Sequence, residues 1–201
     1  MTLSLKLADV CVSAAVISFL VVLPLAAQSA GGEQPQQPAA GGVALTVFSG
    51  GALEGVRKVA QNSPTTTTSQ TYVNVPGASA SWLVAANDSD LVNVNFTAEC
   101  RLIGNTLPPG GAANWVELRV VISRSPAAAG FPTSMQPNDT TSPMAFCSAN
   151  DYAMHAANFA ARVSGGSTGA TYTVQVQYKV TGAAGLTAWL DDYMTELLAF
   201  N

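Results

Sequence analysis

The residues able to do chemistry are few. The chain of 201 residues has one histidine, His155, so a three-histidine zinc site cannot be built within it. A serine–histidine–acid triad would have to run through that same residue. No Gly-x-Ser-x-Gly elbow accompanies it, and it sits in the Ala-rich stretch "DYAMHAANFAARV" at Asp151 to Val163; His155 is expected to be a structural or an exposed residue. Carboxylates are the other route, because glycoside hydrolysis needs only two acids at a suitable separation, one to protonate the leaving group and one to attack or to activate water. Glu99, Glu117, Asp191, Asp192 and Glu196 are available, but Glu99 and Glu117 fall at outward-facing strand positions and nothing in the sequence makes any two converge. No catalytic residues are assigned. A carboxylate-dependent secreted hydrolase acting on glycans is the rival reading.

Hard cations take oxygen ligands from Asp, Asn and backbone carbonyls. Asn87, Asp88 and Asp90 in one turn, with Asp191 and Asp192 elsewhere, could supply such a Ca2+ site. There is no EF-hand or Gly-rich nonapeptide spacing, and Asx residues in turns bond their own backbone without a metal. The expectation is no cofactor, with Ca2+ as the one candidate. Neither Cys100 nor Cys147 belongs to a CxxC or has a second ligand near it in sequence, so zinc and redox catalysis have little support.

Asp191 and Asp192 raise a positional problem. Leu186, Ala188 and Leu190 alternate inward, and the next inward slot falls on Asp192. An ionised carboxylate cannot stay buried without hydrogen bonds or a cation. The chain must therefore bulge, bring in a partner such as Arg162 or backbone amides, or leave the sheet. The alternative is a terminal helix capped by Asp191, with Glu196 in its first turns.

The elements that must position these groups follow a period of two. Tyr172, Val174, Val176, Tyr178 and Val180 are apolar, while Thr171, Thr173, Gln175, Gln177, Lys179 and Thr181 fill the opposite face, which is the signature of a strand with one wet face. Val92, Val94, Phe96 and Ala98 repeat the pattern, as do Ala80, Trp82 and Val84, and the turn chemistry of Asn87 to Asp90 joins these two runs as an expected hairpin. Further strands are expected at Val43 to Phe48, Thr71 to Val75 and Trp115 to Ile122. Asp151 to Val163 reads either as an Ala-rich helix capped by Asp151 or as a strand with Ala153, His155, Ala157, Phe159 and Val163 on one face; the strand is favoured. Ser123 to Pro143 is expected to be a long surface excursion. Short antiparallel strands joined by Gly- and Pro-containing connections point to an all-β antiparallel sandwich of jelly-roll type.

Ahead of that domain, Met1 to Ala27 places Lys6 before an apolar run from Val10 to Leu25, followed by small residues, which fits a secretory signal peptide; an uncleaved anchor is the competing reading. Residues 28–42, "QSAGGEQPQQPAAGG", lack side chains that could anchor a core and form a flexible linker. The sandwich then spans 43–201. Removal of the leader takes Cys11 with it, leaving Cys100 and Cys147 as an even pair in an oxidising compartment. A disulfide is favoured there over two separate buried thiols. Net charge is -4 and the eight Lys and Arg are scattered, so no basic stripe exists to neutralise nucleic-acid phosphates or an anionic membrane.

"VNVPGASASWLV" at Val73 to Val84, "FTAEC" at Phe96 to Cys100 and "TYTVQVQYKVTGAAGLTAWLDDY" at Thr171 to Tyr193 resemble a loose group of uncharacterised secreted bacterial β-sandwich proteins that end in a strand, a small-residue turn and a last strand bearing Leu-Asp-Asp-aromatic. The resemblance implies export and a jelly-roll-like fold, and brings no activity. The expected function is an exported non-catalytic β-sandwich, secreted, periplasmic or at the cell surface, acting as a structural or binding module toward a protein or a glycan. A jelly-roll homo-oligomer is a further alternative.

Overall fold

A computed structural model describes residues 51–106, 114–137 and 144–201. The expected leader, linker and strand at Val43 to Phe48 lie outside the described residues. Nine strands are present among those described: β1 Leu53–Gln61, β2 Thr65–Thr67, β3 Val73–Val84, β4 Ser89–Ile103, β5 Trp115–Ser125, β6 Met144–Cys147, β7 Ala153–Ser164, β8 Ala170–Thr181 and β9 Thr187–Phe200. They form two antiparallel sheets facing each other. Sheet A has the order β1-β9-β4-β7 with β2 also on β9, and sheet B has the order β3-β8-β5-β6.

With the three-residue β2 set aside, the pairs nest. β1 pairs with β9, β3 with β8, β4 with β7 and β5 with β6, so the first four strands meet the last four in reverse order. This is the jelly roll that the alternation predicted. The ambiguous segment is the strand β7, in which Ala157, Phe159, Ala161 and Val163 are buried on one face.

Three local expectations need correction. The runs ending at Val84 and beginning near Val92 are not a hairpin: β3 lies in sheet B and β4 in sheet A, and the turn at Ala85 to Asp88 carries the chain from one layer to the other. Turn residues reverse the chain either within a sheet or between sheets, so their chemistry does not distinguish the two. Thr71 to Val75 and Ala80 to Val84 are not separate strands either. Most of both belongs to β3, whose register against β8 slips between Asn74 and Ser79 around Pro76 and Gly77. A proline without an N–H and a glycine at φ 70° are tolerated because β3 is an edge strand.

The third correction concerns Ser123 to Pro143, which is only partly an excursion. Its first residues end β5, and the chain then folds back: Met135 donates to the carbonyl of Val120 (2.9 Å) while Gln136 and Ala160 exchange backbone hydrogen bonds (2.8 Å each). The segment thus bridges β5 of sheet B to β7 of sheet A, with the Met135 side chain fully buried as a plug. On the same side, the Cys100–Cys147 disulfide joins β4 to β6 with Cα atoms 6.2 Å apart.

The inward face of β8, Tyr172 to Val180, is 2% exposed or less at each alternate position. Each such side chain contributes about 1.5–3 kcal/mol of burial, so a one-residue slip that turned all five outward would be far more costly than any surface interaction could offset.

Candidate functional site

The Asp191-Asp192 pair is the site of a bulge. Thr97 faces Met194 and Glu99 faces Asp191, which leaves Asp192 and Tyr193 together opposite Ala98. Asp192 is the extra residue, with φ 43°, a left-handed conformation that Asp tolerates better than most residues. The inward series before it is Leu186, Ala188 and Leu190, and after it Tyr193, Thr195, Leu197 and Ala199. One inserted residue shifts the phase and leaves the Asp192 side chain in water. Asp191 Oδ1 accepts the Asp192 N–H at 2.9 Å. The capped helix does not form.

The other carboxylates divide by environment. Glu117, expected to face water, is 3% exposed. Tyr72 folds over the outer face of sheet B and donates its hydroxyl to Glu117 Oε1 at 2.5 Å, Thr181 donates to Oε2 at 2.8 Å, and Lys179 Nζ lies 3.2 Å away. The Tyr72 ring is in turn covered by Arg119 and Lys179, at 4.0 and 4.5 Å from its centroid. Outward alternation placed Glu117 on the right face but could not register that a tyrosine from the preceding loop would cover it. Glu196 pairs with Lys58 at 2.7 Å and accepts from Asn95 at 3.2 Å; the hydrogen bond from Lys58 leads in holding its carboxyl below the usual range. Glu99 and Asp191 are direct cross-strand neighbours on the outer face of sheet A.

Beside that pair lies an aromatic patch. Trp189 and Tyr152 meet edge-on with centroids 4.8 Å apart. Arg101, the register partner of Trp189, donates to the Tyr152 hydroxyl at 2.6 Å and to Asn150 Oδ1 at 3.3 Å. Tyr152 is 53% exposed and Met154 63%. His155 is directed the other way: opposite Ala98 on the inner face of sheet A, it packs against Phe146 at 5.5 Å. Burial pushes its pKa down, and its Nε2 has no hydrogen-bond partner.

Asp88 and Asp90 do come together, but with Glu54 rather than with Asp191 or Asp192; the nearest carboxylate oxygens of the three all lie within 4.8 Å of one another. Glu99, the neighbour of Asp191, lies nine positions along β4 from Asp90, about 30 Å at the rise of a strand. Each of the three is placed by a distinct device. Glu54 sits where the β1 register slips between Leu53 and Gly55, a bulge that re-aims its side chain. Asp88 is held in the interlayer turn, its carbonyl accepting from Gly165 N–H at 3.0 Å and its Oδ1 from Ser89 N–H at 2.8 Å. Asp90 opens the inward series of β4 and is 1% exposed.

Burial pushes the Asp90 carboxyl above its ordinary range, the Glu54 and Asp88 carboxylates add to the shift, and the neighbouring Trp82 indole opposes it. Trp82 nonetheless falls short of hydrogen-bond geometry, so Trp82 Nε1 and Asp90 Oδ1 are both buried without a partner. A cavity of 320 Å³ opens here, lined by Glu54, Arg57, Trp82, Leu83, Asp90 and Leu197 among others. Sequence reasoning missed Glu54 because it missed β1. The inward place of Asp90 was legible: carrying the alternation of Val92, Val94 and Phe96 one step back reaches it.

No protein-family model matches the chain, and no curated protein matches it.

Proposed function

We propose that this chain is an exported, non-catalytic β-sandwich serving as a binding module at or outside the cell surface, and that its ligand is a glycan held on the outer face of sheet A. The observation that carries this reading is the exposed Tyr152 ring, set edge-on to the half-buried Trp189 and flanked by the Arg101 guanidinium 4.7 Å from its centroid. A sugar ring offers a flat C–H face and a rim of hydroxyls. An exposed tyrosine or tryptophan ring is an apolar surface matched to the face, while the Arg101 guanidinium and the Glu99 and Asp191 carboxylates supply donors and acceptors for the rim. Arg101 already restrains Tyr152, which lowers the ordering cost of binding.

Export is supported by the apolar run Val10 to Leu25 behind Lys6 and by the Cys100–Cys147 disulfide, a bond that persists in oxidising compartments. Among the described residues no helix is long and apolar enough to cross a membrane. The fold itself does not argue for any ligand, since jelly rolls host unrelated functions.

Glycan-array binding of the purified chain, with Tyr152→Ala and Trp189→Ala, tests the reading. Retention of one glycan class, reduced at least tenfold by either change while far-UV circular dichroism stays unaltered, is the expected result. Binding undiminished in both variants overturns it. The hydrolase reading draws on one observation, the placement of Glu99 opposite Asp191, since retaining glycosidases hold their two carboxyl groups about 5–5.5 Å apart. Turnover of a polysaccharide that is lost in both Glu99→Gln and Asp191→Asn would replace the binding module by an enzyme.

A further inference from the structure

We propose that Glu54, Asp88 and Asp90 form a divalent-cation site of calcium size, at the end of the sandwich where the chain passes from β3 to β4. The donor set is all carboxylate oxygen, which suits a hard cation and not zinc or copper. The number of carboxylates favours calcium among hard cations, because Mg2+ is usually held by one or two with several waters, whereas Ca2+ takes more protein oxygens in a flexible geometry. The three ligand oxygens lie within 4.8 Å of one another, close enough for one Ca2+ to reach all three.

Two further observations point to a ligand and not merely to a crowd of acids. Asp90 is 1% exposed and its Oδ1 has no hydrogen-bond partner among the described residues. A buried carboxylate in that state is expensive unless a cation or a proton joins it. Trp82, 6% exposed, brings an equally unpartnered indole N–H to the same cavity, where it would donate to a water on the ion. The cavity's 320 Å³ leaves room for the waters that complete six to eight ligands around Ca2+. Arg57 also lines the cavity, but its guanidinium donates to the carbonyl of Val56 at 3.0 Å.

The site joins parts that are remote in sequence. Glu54 belongs to the edge strand of sheet A, Asp90 opens a central strand of the same sheet, and Asp88 lies in the link from sheet B. An ion there ties β1 and β4 of sheet A to the turn that leads out of sheet B, away from the disulfide and the Met135 plug. It is independent of the glycan patch at the far end of β4.

Terbium, a luminescent substitute for calcium, tests the proposal on the purified chain after chelator treatment. The expected result is saturable Tb3+ emission sensitised through tryptophan, displaced by Ca2+ and not by equal Mg2+, with Asp90→Asn weakening binding at least tenfold. Trp82→Phe removes most of the emission yet leaves the thermal shift, a Tm rise of roughly 5–10 °C at Ca2+ about 100-fold above Kd. Asp191→Asn changes neither. Should Asp90→Asn fail to fold, the exposed Glu54→Gln provides the same comparison. Absence of sensitised emission together with equal Tm in Ca2+ and in chelator overturns the site, as does Tb3+ affinity unchanged in both carboxylate variants. In either case the buried Asp90 is relieved by a proton instead.

Discussion

Replacing Cys100 and Cys147 together by alanine removes the covalent tie between the two sheets, and its effect can be worked from the fold. The sequence separation is 47 residues, for which the chain-entropy relation gives about 4 kcal/mol lost from stability. For a chain of this size each kcal/mol moves Tm by about 2–4 °C, so the double variant should melt roughly 8–16 °C below the wild type by circular dichroism at fixed pH, in chelator. The loss should also be uneven. β6 pairs with β5 only at Val116, Glu117 and Leu118, and once the disulfide is gone its anchorage rests on that ladder, on the buried Phe146 ring and, just past its end, on the bonds from Asn105 to the Ser148 carbonyl and from Leu102 to the Ala149 carbonyl. In the double variant, amides of Met144 to Cys147 should therefore exchange with deuterium faster than those of β8, the central strand of sheet B. A stability loss below about 1 kcal/mol, with the wild-type cysteines shown to be oxidised, would refute the loop-closure reasoning. Exchange of β6 at the same rate as β8 would refute the staple.

Three other outcomes follow from the same geometry. Asp192→Gly should be neutral or stabilise by up to about 1 kcal/mol, while Asp192→Val should cost about 1–2 kcal/mol in urea unfolding, because φ 43° at the bulge suits glycine and strains a β-branched residue; a valine variant as stable as the wild type would contradict the bulge. Glu117→Ala should cost about 1.5–3 kcal/mol, since it strips charged acceptors from Tyr72, Thr181 and Lys179 at once, and a change near zero would show that the outer-face network adds nothing. His155 has its folded pKa pushed below 6.5 by burial. The unfolded chain therefore binds the proton first as pH falls, so the contribution is intact above about pH 6.5 and is lost as pH drops through the folded value. His155→Phe should flatten that acid limb in a stability-versus-pH series, and an unchanged slope would count against a buried neutral imidazole.

The alternation of β8, "TYTVQVQYKV", determines by itself that this segment is a strand, which face is wet and that the protein is built from sheets. The same rule, followed to the misfit at Asp192, called for a bulge, a buried partner or an exit from the sheet, and the structure has the bulge. The count of cysteines left after an expected leader pointed to Cys100–Cys147. All of these are local or arithmetical properties, because a side chain's direction along a strand depends only on its position in the run. Partnership is different. Only the tertiary structure decided that β3 and β4 lie in different layers, that Tyr72 buries Glu117, that Met135 plugs the far edge, and that Glu54 on β1 reaches Asp88 and Asp90 at the start of β4. Each depends on which strand edges meet after the ribbon is wound into nested pairs, and that choice is made by the burial of whole faces at once, a sum over distant residues to which no single stretch of sequence holds the key.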